Sequence, residues 1–396
     1  MAAADRVRAL IDAPELLAAA VPGDLRTAER LRATWPAELV AAATGQAELR
    51  ERARAKFARA GQMLFTRAGL EQATADAVAR HRAARFAGVT GLVLDLCCGI
   101  GGDTAAIASA APGADVVGID RDETHALLAR HNAGVHDAPA RTVVADVRDV
   151  RVEPATAVFV DPARRSAGGA GPDRRGGYLP PLDWCLALPV DRVCVKAAPG
   201  LDRAGVPDRW EVEFVAHGRD LKEAVLWSPA WSPAWASGGA CATVLLGDPA
   251  GDGVSAHTLH ADPSTPPAPV RPPGAHLLDP SPAVTRAGAV ADLAAMLGAA
   301  QIDPRIAFLT ADHPLSSPFG RSLVIEASLP FGVKALAAEL RRLDIGSADI
   351  RRRGLAGDVD DLRRRLRPHG SRHGVVVLTR VVNRPWAFVC TEPAEP

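Results

Sequence analysis

The sequence predicts an α/β fold: a largely parallel sheet with helices on both faces, a helical region before it and a smaller α+β domain after it. Three observations predict it. Strand-like apolar runs alternate with helical patterns between residues 86 and 250, the rhythm of a parallel sheet. The stretch Val93-Leu-Asp-Leu-Cys-Cys-Gly-Ile-Gly-Gly-Asp-Thr104 reads as a buried strand, a glycine turn and the start of a helix. Seven prolines in residues 249–275, with no periodicity around them, separate this region from a second patterned stretch.

Composition narrows the class. The chain has 396 residues, enough for two or three domains, and its 46 basic and 46 acidic residues balance. Overall charge therefore leaves the partners open. Six cysteines without a C-x-x-C pair suit neither a zinc site nor a disulfide framework, so a reduced, cytoplasmic protein without a metal is expected. The first residues carry Asp5, Arg6 and Arg8, unlike a signal peptide. No apolar run reaches the roughly 18 residues of a membrane span.

Taken in order, residues 1–85 carry helical spacing in Arg6–Ala20, Leu25–Trp35, Ala37–Ala43 and Glu48–Ala58, punctuated by Pro14, Pro22 and Pro36. Met63–Thr74 leads into a helix at Ala75–Arg85. Residues 86–250 contain strands at Gly91–Leu96, Asp115–Ile119, Arg141–Ala145, Ala157–Val160, Arg192–Lys196, Trp210–Val215, Glu223–Trp227 and Ala242–Leu246. The last three follow one another without a long helix. The linker occupies 251–275. In residues 276–396, Ser281–Ala300, Gly332–Leu343 and Asp358–Leu366 read as helices. Strands are expected at Ile306–Leu309, Ser322–Leu329, Ala348–Arg353, Gly374–Arg380 and Arg384–Cys390.

The chemistry gathers at the strand ends. Glycines at 99, 101 and 102 let a ligand approach the backbone, and the helix start at Asp103 offers free N–H groups. Asp120, about 20 residues on, ends the second strand, where an acid can hold ribose hydroxyls. The turn lacks the last glycine of a dinucleotide fingerprint, and Asp95 beside it would repel a pyrophosphate. A carboxylate there suits an ammonium group. S-adenosylmethionine carries an ammonium, a carboxylate and a ribose, and fits. Candidate cofactor residues are Asp95, Gly99, Gly101, Asp103, Thr104, Asp120, Arg121 and Asp146, which ends the third strand.

Asp161-Pro-Ala-Arg164 ends the fourth strand and supplies the candidate catalytic residues, Asp161 and Pro162. An acid in a stiffened loop can align a target N–H, and the rate then comes from positioning. Arg164, Arg165 and Tyr178, the one tyrosine of the chain, are candidate substrate contacts. Residues 341–384 hold 12 Arg and 5 Asp, and Arg351, Arg352 and Arg353 within them can pair with phosphates. Solvated helix faces are the plainer reading of the same pattern.

The glycine turn and Asp120 resemble motifs I and II of class I S-adenosylmethionine-dependent methyltransferases. Cys97-Cys-Gly-Ile-Gly-Gly-Asp-Thr104 also resembles the trimethylguanosine synthase form of motif I. Leu278-Asp-Pro-Ser-Pro-Ala283, Leu329-Pro-Phe331, Arg351-Arg-Arg-Gly354 and Val377-Leu-Thr-Arg380 are similar to THUMP-like C-terminal domains. The resemblance spans about residues 60–396. It implies a Rossmann-like, seven-stranded methyltransferase sheet with a closing antiparallel hairpin. It also implies Phe65 and Thr66 over the cofactor, Asp146 at the adenine, and RNA (tRNA or rRNA) as partner. Asp161-Pro-Ala-Arg164 departs from the Asn/Asp/Ser-Pro-Pro-aromatic pattern of enzymes that methylate nitrogen. RNA 5-methyluridine enzymes need a cysteine where this chain has Lys196-Ala-Ala-Pro199, so covalent uracil chemistry is not expected. A small-molecule methyltransferase and a non-catalytic RNA-binding protein stay open as alternatives.

Overall fold

The computed structural model describes residues 2–138, 140–164, 177–231, 238–355 and 358–393. The chain forms two compact units. The first comprises Met1–Gly218, Lys222–Gly239 and Leu245–Ala256; the second comprises Arg219–Leu221, Ala240–Val244 and His257–Pro396.

The first unit opens with six helices: α1 (Ala3–Ile11), α2 (Pro14–Ala19), α3 (Leu25–Leu31), α4 (Ala37–Ala53), α5 (Arg67–Gln72) and α6 (Asp76–Ala83). Pro14 starts α2 at its first position, where its missing N–H costs nothing. Asp24 caps α3 by accepting from the N–H groups of Arg26 and Thr27. The predicted gap between Ala43 and Glu48 closes, and α4 runs through it. Gly45 faces open space there, while Gln46 is buried and exchanges two hydrogen bonds with the backbone of Phe65. That tertiary contact outweighs the poor helix propensity of glycine. Val7, Leu10, Leu16, Val40, Phe57 and Met63 form the core of these helices, which also takes in Ile100 and Leu128.

The sheet of this unit contains β1 (Gly91–Leu96), β2 (Ala114–Asp120), β3 (Arg141–Val144), β4 (Ala157–Val160), β5 (Val193–Ala197), β6 (Glu211–His217) and β7 (Asp220–Trp227). Their order is β3-β2-β1-β4-β5-β7-β6. The first five strands are parallel, and β7 runs antiparallel to β5. β6 and β7 are joined across two residues, Gly218 and Arg219. The order reverses between β1 and β4, so a crevice opens beyond their C-terminal ends. Helices α7 (Gly102–Ala110), α8 (Glu123–Val135) and α9 (Leu182–Leu186) follow their strands. Val93, Phe159, Cys194, Val225 and Trp227 are buried in one core with Ile107 of α7.

The chain passes between units within two further strands, β8 (Gly239–Leu246) and β9 (Ser255–His260). β9 lies in the stretch predicted to be a linker, where the prolines masked a six-residue strand. In the second unit, His276–Pro280 (β10), Ala300–Asp303 (β11), Ile306–Ala311 (β12), Gly320–Pro330 (β13), Ile345–Arg352 (β14), Arg372–Val381 (β15) and Arg384–Thr391 (β16) form a sheet ordered β11-β12-β10-β13-β16-β15-β14. β14 and β15 pair in parallel, and the other neighbouring strands of this sheet run antiparallel. The predicted helix Ser281–Ala300 is two helices, α10 (Pro282–Ala287) and α11 (Val290–Leu297), parted by left-handed Gly288. Helices α12 (Val333–Arg342) and α13 (Val359–Leu366) pack on one face through Leu336, Leu340 and Leu362. Val375 and Val377 face one core while Val376 and Leu378 face the other, the alternation of a strand covered on both sides.

The glycine turn generates the first prediction. Gly101 has φ +83°, and a Cβ there would lie 2.5 Å from the Cα of Ala129 in α8. Gly99 has φ +53° with nothing within 4 Å. Gly101→Ala should cost about 2–4 kcal/mol in urea unfolding from strain and overpacking, and Gly99→Ala about 1–2 kcal/mol from strain alone. Equal costs would mean that the approach of α8 does not constrain the turn.

Candidate active site

A cavity of about 1120 Å³ in the first unit lies over the C-terminal ends of β1, β2, β4 and β5. Among the residues lining it are Gly99, Asp103, Asp120, Arg121, Asp146 and Asp161. The topology brings them together, because each follows a strand of the same parallel set.

The turn after β1 holds the first group. Cys97 is left-handed at φ +66°, a position a non-glycine residue rarely takes, and its N–H reaches the Ile119 carbonyl at 2.8 Å. The Cys98 N–H reaches the same carbonyl at 3.1 Å, so the two cysteines tie the turn to β2. Asp95 is fully buried beneath the turn. Its Oδ2 accepts from the Thr104 hydroxyl, and its Oδ1 has no hydrogen-bond partner among the described residues. Burial, then the charges of Asp103 and Asp161, push the Asp95 carboxyl up to about 8. Thr104 is also fully buried, with its hydroxyl engaged by Asp95. Asp95, Gly101 and Thr104 therefore support the turn from behind rather than line the cavity.

Asp120 ends β2 and accepts from the N–H groups of Gly99 at 3.0 Å and Asp122 at 2.9 Å. His125 Nδ1 lies 3.6 Å from its Oδ1. Burial raises the Asp120 carboxyl, but the nearby His125 ring and the hydrogen bonds from Asp122 and Gly99 together hold it below its ordinary value. The nearby Asp120 carboxylate raises His125. Asp146 accepts from Arg148 through its backbone at 3.0 Å and its guanidinium at 2.9 and 2.6 Å, which lowers the carboxyl strongly.

Asp161 and Pro162 follow β4 at the cavity wall. Asp161 Oδ2 accepts from Lys196 Nζ at 2.6 Å, and Oδ1 accepts nothing among the described residues. Asp103 pairs with Arg82, which is 2% exposed and also pairs with Glu223. Burial favours the neutral form of Arg82, but Asp103 and Glu223 hold it cationic. Burial raises the Glu223 carboxyl against Arg82 and Lys196.

Several expected site residues belong elsewhere. Phe65 is 2% exposed in the helical core, its ring centroid 5.7 Å from that of Phe57. Gln46 and Asn132 hold it there through backbone hydrogen bonds at Phe65 and Leu64, so it does not cover the cavity. Thr66 caps α5 by accepting from the Gly69 N–H at 2.9 Å. Tyr178 is buried, and its hydroxyl accepts from the Ala198 N–H at 2.9 Å, so its ring is not free to stack on a base. Arg164 pairs with Tyr178 through a two-residue ladder, and Arg165 lies outside the described residues. In the second unit, Arg353 sits 2.9 Å from Asp279 and 5.5 Å above the Phe308 ring. Arg352 is exposed and Arg351 half-buried.

Sequence reasoning missed Lys56, Arg82, His125 and Lys196. Of these, the lysines carried a signal, since the chain has four in all. Lys56 Nζ donates to the carbonyls of Leu70, Glu71 and Ala73 at 2.8, 3.1 and 3.0 Å. Among the described residues no cluster of His, Cys, Asp and Glu could hold a metal, and no helix is long and apolar enough to cross a membrane.

A methyltransferase domain model matches residues 93–160, and a THUMP domain-like model matches residues 320–392. An uncharacterized S-adenosylmethionine-dependent methyltransferase of Mycobacterium tuberculosis (strain ATCC 25618 / H37Rv) is 37% identical over 343 residues, 83% of this chain and 89% of that one. Its counterpart in strain CDC 1551 / Oshkosh matches equally. A protein of Porphyromonas gingivalis W83 named as a methyltransferase shares the fold, with a TM-score of 0.69 at 21% identity over 91% of this chain and 92% of that one. The match to the mycobacterial protein spans most of both chains, and this chain belongs to the S-adenosylmethionine-dependent methyltransferases.

Proposed function

We propose that the protein transfers the methyl group of S-adenosylmethionine to a nitrogen of an RNA base, in tRNA or rRNA. The observation that carries the nitrogen assignment is Asp161. It stands at the cavity wall with Oδ2 held by Lys196 and Oδ1 open to a donor. In the proposed step the acceptor N–H donates to Oδ1, and the nitrogen lone pair faces the sulfonium methyl. The N–C bond forms as the C–S bond breaks, S-adenosylhomocysteine leaves, and the proton passes toward the carboxylate. The methyl is already activated, so alignment supplies the rate. Pro162 stiffens the backbone that carries the acid.

The residues present fit the cofactor. Asp95 Oδ1 is a buried oxygen without a partner among the described residues, an unmatched hydrogen-bond acceptor under the turn. Gly99 and Asp103 line the place where the methionine part would sit, with Gly101 and Thr104 bracing the turn. Asp120 would take the ribose, and Asp146 with Arg121 the adenine end. RNA as substrate rests on the THUMP domain-like match and on the arginines of residues 341–384. Arg352 is exposed among them, while the surface pairs of Arg363, Arg364 and Arg365 with Asp360 and Asp361 are weak enough to exchange for phosphates. The pairing of Arg353 with Asp279 favours the second reading, a small-molecule acceptor, since it removes one cation from any phosphate surface. In this reading the chain has four parts: helical region 1–85, methyltransferase domain 86–250, linker 251–275 and THUMP-like domain 276–396.

Mass spectrometry of nucleosides from tRNA and rRNA tests the substrate. A strain lacking the protein should lose one base-methylated nucleoside; an unchanged set overturns RNA as substrate. Asp161→Ala should bind S-adenosylhomocysteine within about threefold of the parent and lose about 100-fold or more in kcat; unchanged turnover would remove Asp161 from the mechanism. Asp95 predicts a pH dependence. Its carboxyl is raised from 3.8 to about 8 in the folded chain, so the folded state holds the proton more tightly than the unfolded one. That contribution is fully present below the unfolded value and is lost as pH rises toward 8. Asp95→Asn should therefore gain stability relative to the parent between pH 5 and 8 in urea titrations, and a constant difference would show that Asp95 does not titrate there.

A further inference from the structure

Lysine placement in this chain is selective. Of 46 basic residues only Lys56, Lys196, Lys222 and Lys334 are lysines, and the first three line the cavity. Away from the cavity the chain uses arginine for its cations, with Lys334 the one exception. An ammonium differs from a guanidinium in being a compact point charge, whereas the guanidinium fork engages a carboxylate through both oxygens.

Lys196 sits near the end of β5, beside β4, where Val160 pairs with Val195. This register sets its ammonium next to Asp161, and Nζ lies 2.6 Å from Oδ2. The other carboxylates near it are occupied, because Arg82 pairs with both Asp103 and Glu223. Lys56 spends its three donors on backbone carbonyls and cannot compete for Asp161. Burial alone would favour a neutral Lys196, but Asp161, Asp103 and Glu223 keep it charged.

We propose that Lys196 is a positioning residue for methyl transfer: by holding Oδ2 of Asp161 it fixes the carboxylate plane and leaves Oδ1 alone to receive the acceptor. This rests on Asp161 being the group that meets the acceptor. An arginine at 196 would keep the charge and take both oxygens, so lysine is the cation that leaves one free.

The test uses the full-length protein with Lys196→Met, Lys196→Arg, Asp161→Asn and the double variant Asp161→Asn/Lys196→Met. Kinetics use radiolabelled S-adenosylmethionine and RNA from a strain lacking the protein. Both Lys196 variants should lower kcat by roughly 10–100-fold with KM little changed, and S-adenosylhomocysteine affinity should stay within about threefold. A Lys196→Arg enzyme with parental kcat, or a loss confined to cofactor affinity, overturns the proposal; Lys196→Arg also serves if Lys196→Met fails to fold. A second readout needs no acceptor. In urea unfolding, the double variant should lose less than the sum of the single losses, and strict additivity overturns the pairing. If the parent methylates no RNA while the cycle is non-additive, the RNA reading fails and the Asp161–Lys196 pair stands.

Discussion

One buried cation ties the catalytic half of this protein together. Arg82 leaves helix α6, lies 4.8 Å above the Phe159 ring and pairs with Asp103 at the start of α7 and Glu223 on β7. Three elements distant in sequence thus converge on one guanidinium. Desolvating such a group is expensive, and removing either carboxylate would leave an uncompensated charge in the core. The arrangement also sets the cavity's charge pattern. Asp103 is committed to Arg82, Lys196 to Asp161, and Asp95 is left with an oxygen that no described residue satisfies. A site built this way keeps an unmatched acceptor under the turn and its fixed acid beside β4.

The turn itself is a compromise between strain and access. Cys97 and Gly101 are both left-handed, and the path between them is pinned by bonds to Ile119 and by the pressure of Ala129. Asn132 extends the brace, donating to the carbonyls of Leu64 and Ile100 while its Oδ1 accepts from the Leu64 N–H. The N-terminal helices are therefore part of the support for the turn, and their core includes Ile100. Strain at such a place is held by the surrounding packing, which keeps the backbone open toward a ligand.

The carboxylates of the site were legible because they end strands. Asp95, Asp120, Asp146 and Asp161 occur at the close of four apolar runs, and a parallel sheet sends all those ends to one edge. Phe65 and Tyr178 were misjudged for a common reason: an aromatic near a site can face the ligand or the core, and local pattern does not say which. Gln46 and the Ala198 N–H decided, both from distant parts of the chain. The C-terminal arginines show the same limit. Their number was evident, while the commitment of Arg353 to Asp279 joins residues far apart in the chain that only the folded sheet brings together.

By itself, the sequence determined the alternation of strands and helices, the glycine turn, the acids at strand ends and the separation into two patterned regions. These are local properties, set by side-chain period, turn chemistry and proline content. Tertiary structure alone decided which polar groups are spent on one another. It continued α4 through Gly45, drew β9 out of the proline-rich stretch, buried Arg82 and set Lys196 against Asp161. The physical reason is that ion pairs and close approaches join residues far apart in the chain. Their cost and gain depend on burial, and burial exists only once the layers have packed.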